Sequence, residues 1–311
     1  MVYKTFLENI QASVQKELGE GAQVNLQQVL KNNGILLDGL SISSASSGFS
    51  PTIYLNAYYE EAENGLPLSV IAEQIVLMYE EQAFSPHELL LELKNFDDIK
   101  DKIVFKLLGT QDNELLLSGI PCYDFLDLSV VFYLILSEDV NGQMTSLIHN
   151  EHLELWNITK KELLKLAEHN TPLLLPPRIL PIEDALTEIG GPEGGCIIFP
   201  DQPPVSLYVL TSRNGINGAA CLLYKNILKN FAESMKDDLI ILPSSIHEVL
   251  LTPCKCAFPC QELNEMVSLI NHSDVPIEDR LSNHVYFYSR KQDCITIPSN
   301  SSAPSGKANP Q

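Results

Sequence analysis

Three times along this chain, two apolar runs are separated by an Asn-Gly turn signal and followed by a stretch with apolar residues at helical spacing. In the first, runs at 24–30 and 35–42 flank Asn32, Asn33 and Gly34, and "LPLSVIAEQIVLMYEEQ" places Leu68, Ile71, Ile75 and Met78 on one face. In the second, the continuous run "FLDLSVVFYLIL" at 125–136 is separated by Asn141-Gly142 from "MTSLIHNEHLEL", and "NITKKELLKLAEHN" follows. In the third, Asn214-Gly215 divides "YVLTS" from "AACLLY", before "KNILKNFAESM" with Ile227, Leu228, Phe231, Ala232 and Met235 on one face. Asn and Gly accept the positive φ of tight hairpin turns, so each unit predicts two antiparallel strands and a helix. The units share no sequence identity, which makes this a common architecture and not a repeat. The predicted class is α+β, with mixed, largely antiparallel sheets flanked by helices in recurring ββα order.

Smaller signals extend the pattern. "MVYKTFLENIQASVQKELGE" alternates charged and apolar residues at helical spacing and has neither a continuous apolar core nor a small-residue cleavage site, so it predicts a helix and not a signal peptide. A short strand is expected at 52–55. Thr159 and Glu162 form a Thr-x-x-Glu capping box, with Ile158 and Leu163 at hydrophobic-staple positions, and Asn170 and Pro172 are expected to end that helix. "CQELNEMVSLIN" predicts a late helix and "HVYFYSRKQDCITIP" a closing hairpin.

The Pro- and Gly-rich stretch around "LLLPPRILPIEDALTEIGGPEGG" suggests a connector at 179–200 with a short helix at 182–189. It would separate an N-terminal α+β lobe, 1–178, from a C-terminal one, 201–297. Residues 298–311 carry almost nothing to bury, and a disordered tail is expected there.

Charge narrows the function classes. The 311 residues include 40 acidic and 20 basic side chains, a formal charge of −20. Such a surface repels phosphate backbones and anionic lipid, so neither nucleic acid nor membrane is the expected partner. A protein or small-molecule ligand is. No apolar run approaches the roughly 20 residues that span a bilayer. Seven cysteines, odd in number and mostly scattered, fit reduced thiols in a cytoplasm better than a disulfide framework.

Standard catalytic signatures are missing from the sequence. "GGPEGG" lacks the Lys-Ser/Thr of a phosphate-binding loop, and His247-Glu248 has Leu251 where a zinc-protease motif needs its second histidine. Cys254, Cys256 and Cys260 in "PCKCAFPC", with His247, could converge on a soft metal, but the spacing matches no ordinary zinc pattern and incidental thiols are the simpler reading. No metal and no particular cofactor is therefore expected.

One cluster stands out. "IILPSSIHEVLL" reads as a strand whose centre is replaced by Ser244, Ser245, His247 and Glu248. With side chains two apart sharing a face, Ser245 as nucleophile and His247 as base is conceivable, as is Cys221 in place of the serine. Against chemistry, nothing marks an oxyanion hole, and a cysteine within Ala-Ala-Cys-Leu-Leu is most often a small core residue. Pro243 cannot donate to a ladder, which suggests an edge strand.

"PTIYLNAYYEE", "ITKKELLKLAEHNTP", "YVLTSRNGINGAACLLY" and "ILPSSIHEVLL" together resemble a bacterial family known only as a domain of unknown function, common in anaerobic gut bacteria, over nearly the whole chain to about Ile297. The resemblance implies a bacterial cytosolic origin and no established activity, cofactor or partner; "CKCAFPC" is not part of its pattern. The expected function is a non-enzymatic binding or regulatory module, with binding residues Ser244, Ser245, His247 and Glu248 and the neighbouring Arg213 and Asn214. The alternative is a hydrolase or transferase using Ser245 or Cys221 with His247.

Overall fold

A computed structural model describes residues 1–44, 52–81, 95–139, 142–190, 206–243, 245–256 and 259–298. Several expectations lie outside these residues: Asn141 of the second turn, the "GPEGG" segment with Cys196, Ser244, and all but the first residue of the tail. The chain divides into two compact units, Met1–Asp101 and Lys102–Gln311.

The first unit begins with helix α1 (Tyr3–Leu18), whose Phe6, Ile10 and Val14 recur every four residues and are fully buried. Strands β1 (Ala22–Leu30), β2 (Leu36–Ser44) and β3 (Thr52–Tyr54) form an antiparallel sheet in that order, as the hairpin signal predicts. Asn33 and Gly34 take φ of 57° and 73°, conformations for which those two residue types are suited. Helices α2 (Asn56–Glu63) and α3 (Leu68–Glu81) follow; Ile71 and Ile75 of α3 join Leu40, Ile42 and the α1 residues in one core. The outer edge of β1 is partly covered by side chains: Gln15 Oε1 accepts the Val24 N–H at 3.0 Å, and Gln11 donates to the Val24 carbonyl at 2.9 Å.

The second unit holds two antiparallel sheets. In the smaller, the long strand β6 (Leu128–Asp139) pairs on one side with β4 (Ile103–Gly109) and on the other with β5 (Cys122–Phe125) and β7 (Gly142–Leu147). The run expected as a single strand from 125 is thus the end of one strand and most of another. Leu126 and Asp127 turn between them, with Leu126 at φ 58°. A leucine carries no signal for that conformation, so the periodicity alone could not show the turn.

After α4 (Asn150–Trp156) comes α5 (Lys160–Leu174), capped as expected: the Glu162 N–H donates to Thr159 Oγ1 at 3.2 Å, and the Thr159 N–H donates to Glu162 Oε2 at 2.8 Å. Thr159→Ala is expected to destabilise the protein by about 1 kcal/mol in urea denaturation. The C-terminal expectation needs correction. The helix continues through Pro172 to Leu174 because Asn170 and Thr171 are anchored to the edge of β4. Asn170 Nδ2 donates to the Ile103 carbonyl at 3.0 Å, and the Phe105 N–H donates to Thr171 Oγ1 at 3.1 Å. Both residues are buried, so tertiary contacts override the breaker.

The larger sheet contains β8 (Pro177–Pro181), β9 (Tyr208–Ser212), β10 (Leu239–Leu242), β11 (Glu248–Pro253), β12 (Tyr286–Ser289) and β13 (Cys294–Thr296), in spatial order β13-β12-β10-β11-β9-β8. Helices α6 (Ile182–Gly190), α7 (Ile227–Met235) and α8 (Cys260–Ser273) occupy the connections. From α8, Leu263 and Val267 pack against Ile240, Leu242 and Val285, with Cys254 and Cys260 among the apolar side chains of that cluster. The closing hairpin β12-β13 is as expected. Residues 218–223, expected as a strand, are instead a 3-10 helix, Gly218–Leu223, in which small residues pack against β9 and β11.

Candidate functional site

The polar interruption in "IILPSSIHEVLL" is a hairpin loop. Strand β10 ends at Leu242, β11 starts at Glu248, and the two pair with Leu239 opposite Pro253 and Leu242 opposite Leu250. Both strands are interior to the sheet, which corrects the edge placement: Pro243 sits one residue past the last ladder position and displaces no sheet hydrogen bond. Ser245 and His247 therefore do not share a strand face. The loop is braced by an isolated antiparallel bridge between Ser245 and Arg280 and by the Ile246 N–H, which donates to the Asp279 carbonyl at 2.8 Å.

Ser245 is 4% exposed and its hydroxyl organises the loop. It donates to Glu248 Oε1 at 2.7 Å and accepts the backbone N–H groups of His247 at 3.0 Å and Glu248 at 3.3 Å. A serine closing a local turn in this way replaces missing ladder bonds. The contact between Ser245 and His247 runs through the histidine backbone and not its ring.

The ring is held at both nitrogens. Nδ1 accepts the Asn217 N–H at 3.3 Å, which leaves Nε2 as the protonated nitrogen; it lies 3.2 Å from Asp279 Oδ1. The His247 carbonyl accepts the Thr211 hydroxyl at 2.7 Å. Asn217, in turn, donates through Nδ2 to the Tyr133 hydroxyl at 2.9 Å, and burial pushes that phenol up to about 12. His247 thus joins the 213–217 loop, its own loop and residue 279.

Arg213 and Asn214 follow the end of β9, beside this cluster, and both are exposed. Asn214 shapes its loop as an Asx turn: Oδ1 accepts the Ile216 N–H at 3.1 Å and the Ser212 hydroxyl at 2.9 Å, while Nδ2 donates to Glu138 at 3.1 Å. Cys221 lies in the 3-10 helix, fully buried. Burial pushes its thiol up to about 12, and its hydrogen-bonding neighbour is Tyr224. A thiol in that state is a poor nucleophile. The Cys254 thiol is likewise raised, first by burial and then by Asp237, Asp238 and Cys260. Among the described residues no three His, Cys, Asp or Glu side chains are grouped to hold a metal ion.

Sequence reasoning missed Asp279 and Asn217, and it missed a second constellation. Asp127, at the β5-β6 turn, accepts the Ser282 hydroxyl at 2.6 Å and His284 Nδ1 at 2.9 Å on Oδ2, and the Tyr286 hydroxyl at 2.7 Å on Oδ1. Burial raises the carboxyl pKa, but the bonds from Ser282, Tyr286 and His284 outweigh that and leave it below its ordinary value. The only trace in sequence is the Ser-x-His-x-Tyr spacing at 282–286, three hydrogen-bonding side chains within five residues.

A family model, DUF5688, described as a family of unknown function, matches residues 3–290. The chain belongs to that family. The match reaches into both compact units of this DUF5688 protein and includes every site residue above. No curated protein and no solved structure matches the chain. Among the described residues no helix is long and apolar enough to cross a membrane.

Proposed function

We propose that this DUF5688 protein is a non-enzymatic binding or regulatory module of the bacterial cytoplasm, and that its contact surface is the sheet end where the 213–217 and 243–248 loops meet. One observation carries the reading. Both nitrogens of the His247 ring are engaged, by Asn217 and Asp279, and Ser245 is engaged by Glu248, so the cluster builds a rigid support and not a base-nucleophile pair. Rigid loops that present exposed Arg213 and Asn214 beside a half-exposed histidine suit recognition of a ligand. Placement in the cytoplasm is supported by the free thiols among the described residues, at Cys122, Cys221, Cys254, Cys260 and Cys294.

The test is covalent labelling of the native protein. A fluorophosphonate is expected to leave Ser245 unmodified and iodoacetamide to leave Cys221 unmodified until denaturant is added. His247→Ala should cost about 1–3 kcal/mol, because the Asn217 N–H and the Asp279 carboxylate each lose a partner. Labelling of either nucleophile that His247→Ala abolishes without change in Tm would establish the hydrolase or transferase alternative instead. A photoreactive residue replacing Arg213 is expected to give one discrete adduct in cells; its failure would remove this loop from the contact surface.

A further inference from the structure

The start of α4 is closed by a histidine. His149 is the N-cap, and the position three residues on, where a capping box usually has Glu or Gln, is His152. Its Nδ1 accepts the His149 backbone N–H at 2.9 Å. A backbone N–H can only donate, so Nδ1 carries a lone pair in the folded protein and the neutral ring keeps its hydrogen on Nε2. The ring is half-buried and stacks on Trp156, with centroids 5.2 Å apart and planes 16° apart, so the indole helps to fix its orientation. The chain is fastened on either side of this bond. The Ile148 N–H donates to the Phe132 carbonyl at 3.0 Å, and the Asn150 N–H donates to the Gly119 carbonyl at 3.2 Å. Between the two, the His149 N–H depends on His152.

A Gln or Glu in that position accepts a hydrogen bond throughout the range near neutrality, whereas a histidine does so only while its ring is neutral. Protonation places a hydrogen on Nδ1 and turns the acceptor into a second donor facing the His149 N–H. Burial disfavours the charged ring, the His149 ring with its centroid 5.7 Å away does so too, and Glu151 favours it; the balance holds His152 below its ordinary value of 6.5. The segment at residue 119 meets the helix start through a backbone carbonyl, and Trp156 brings no charge. As pH falls the unfolded chain takes up this proton first, so the stability the bond contributes is complete above about 6.5 and is lost as pH falls through the lower, folded value. We propose that His152 is an acid-sensitive latch on the β7-α4 junction: its neutral ring holds the His149 N–H, and its imidazolium releases that N–H and loosens the helix start.

The experiment is an NMR titration of the full chain between about pH 7.5 and pH 5, reading the His152 ring nitrogens and the hydrogen-exchange protection of each backbone amide, corrected for intrinsic exchange. At neutral pH the Nδ1 resonance is expected to be that of an unprotonated nitrogen. As the ring takes up its proton, protection of the His149 amide should fall about fivefold, the size of losing one helix cap, while protection in the sheets is unchanged. His152→Gln keeps an acceptor at the same position without the titration, and its His149 amide should stay protected across the whole range. His152→Phe keeps a ring against Trp156 without the acceptor, and its His149 amide should be weakly protected even at neutral pH. Three results would each overturn the latch: a proton on Nδ1 at neutral pH, titration of His152 with no change at the His149 amide, or the same pH response in His152→Gln. Loss of protection spread evenly over the chain would be global acid unfolding and would overturn it as well. None of these residues belongs to the 213–217 or 243–248 loops, so failure here leaves the loop surface standing.

Discussion

Asp127→Ala is expected to destabilise the protein by about 2–4 kcal/mol, because it removes one partly buried carboxylate from three donors at once. Tyr286 is fully buried and Ser282 is 9% exposed, so neither hydroxyl can turn to water when the acceptor is lost. The Tyr286 phenol, held up by burial and by the neighbouring Asp127 charge, would remain as an unpaired donor in the interior. Asp127 also fastens distant parts of the chain: it sits in the β5-β6 turn, its carbonyl accepts the Thr110 N–H at 3.0 Å, and its side chain reaches the segment entering β12. Tyr286→Phe, which deletes one donor and leaves the carboxylate two, should cost only about 1–2 kcal/mol. Guanidinium denaturation measures both.

The pH dependence distinguishes this account from simple loss of packing. The folded carboxyl lies below its ordinary value of 3.8, so between the two values the unfolded chain binds more protons than the folded one. The stability this group contributes is complete above the unfolded value and is lost as pH falls through the folded one. The gap between wild type and Asp127→Ala should therefore narrow as pH falls below about 4. A gap that stays constant into acid would mean that the carboxylate charge is not what the three donors stabilise.

What could be read from the sequence was whatever its own neighbourhood determines. The Asn33-Gly34 hairpin, the Thr159-Glu162 cap, the late helix α8 and the faces of α1 and α7 depend on residues within a few positions of each other, and they form as expected, while α3 turns Ile71 and Ile75 inward but leaves Met78 exposed. The errors fall where the signal is either missing or distant. Leu126 adopts a turn conformation that its residue type disfavours, and the 243–247 loop contains neither Gly nor Asn, so both hairpins looked like single strands. Pro172 looked like a helix end because the anchoring of Asn170 and Thr171 to β4 comes from residues 66 and 67 positions away. In the candidate site, Ser245 and Glu248 are local to one another and were visible together. The groups that determine the state of the His247 ring are 30 and 32 positions distant, and the donors on Asp127 are 155 to 159 positions distant, beyond any periodicity.

Gly218→Ala is the second severe change. A Cβ on Gly218 would lie 2.5 Å from the Ser212 nitrogen and closer still to the His247 carbonyl oxygen and Thr211 Oγ1, tighter than real side chains allow. Two of those three atoms are backbone, so no rotamer change relieves the overlap. Relief requires moving the 3-10 helix away from β9 and β11, and that movement would break the Ala219 N–H bond to the Ile246 carbonyl and strain the Asn217 N–H bond to the His247 ring. The expected loss is about 3 kcal/mol, at the upper end for overpacking. Gly215 provides the contrast within the same "RNGING" loop: its φ is +75° but nothing lies within 4 Å of an added Cβ, so Gly215→Ala should cost only the left-handed backbone penalty, about 1 kcal/mol. The two glycines thus serve different physical ends, one supplying a backbone conformation and the other a close approach. If Gly218→Ala were as mild as Gly215→Ala in the same denaturation assay, the 3-10 helix would not be packed against His247, and the support proposed for the contact surface would lose its foundation.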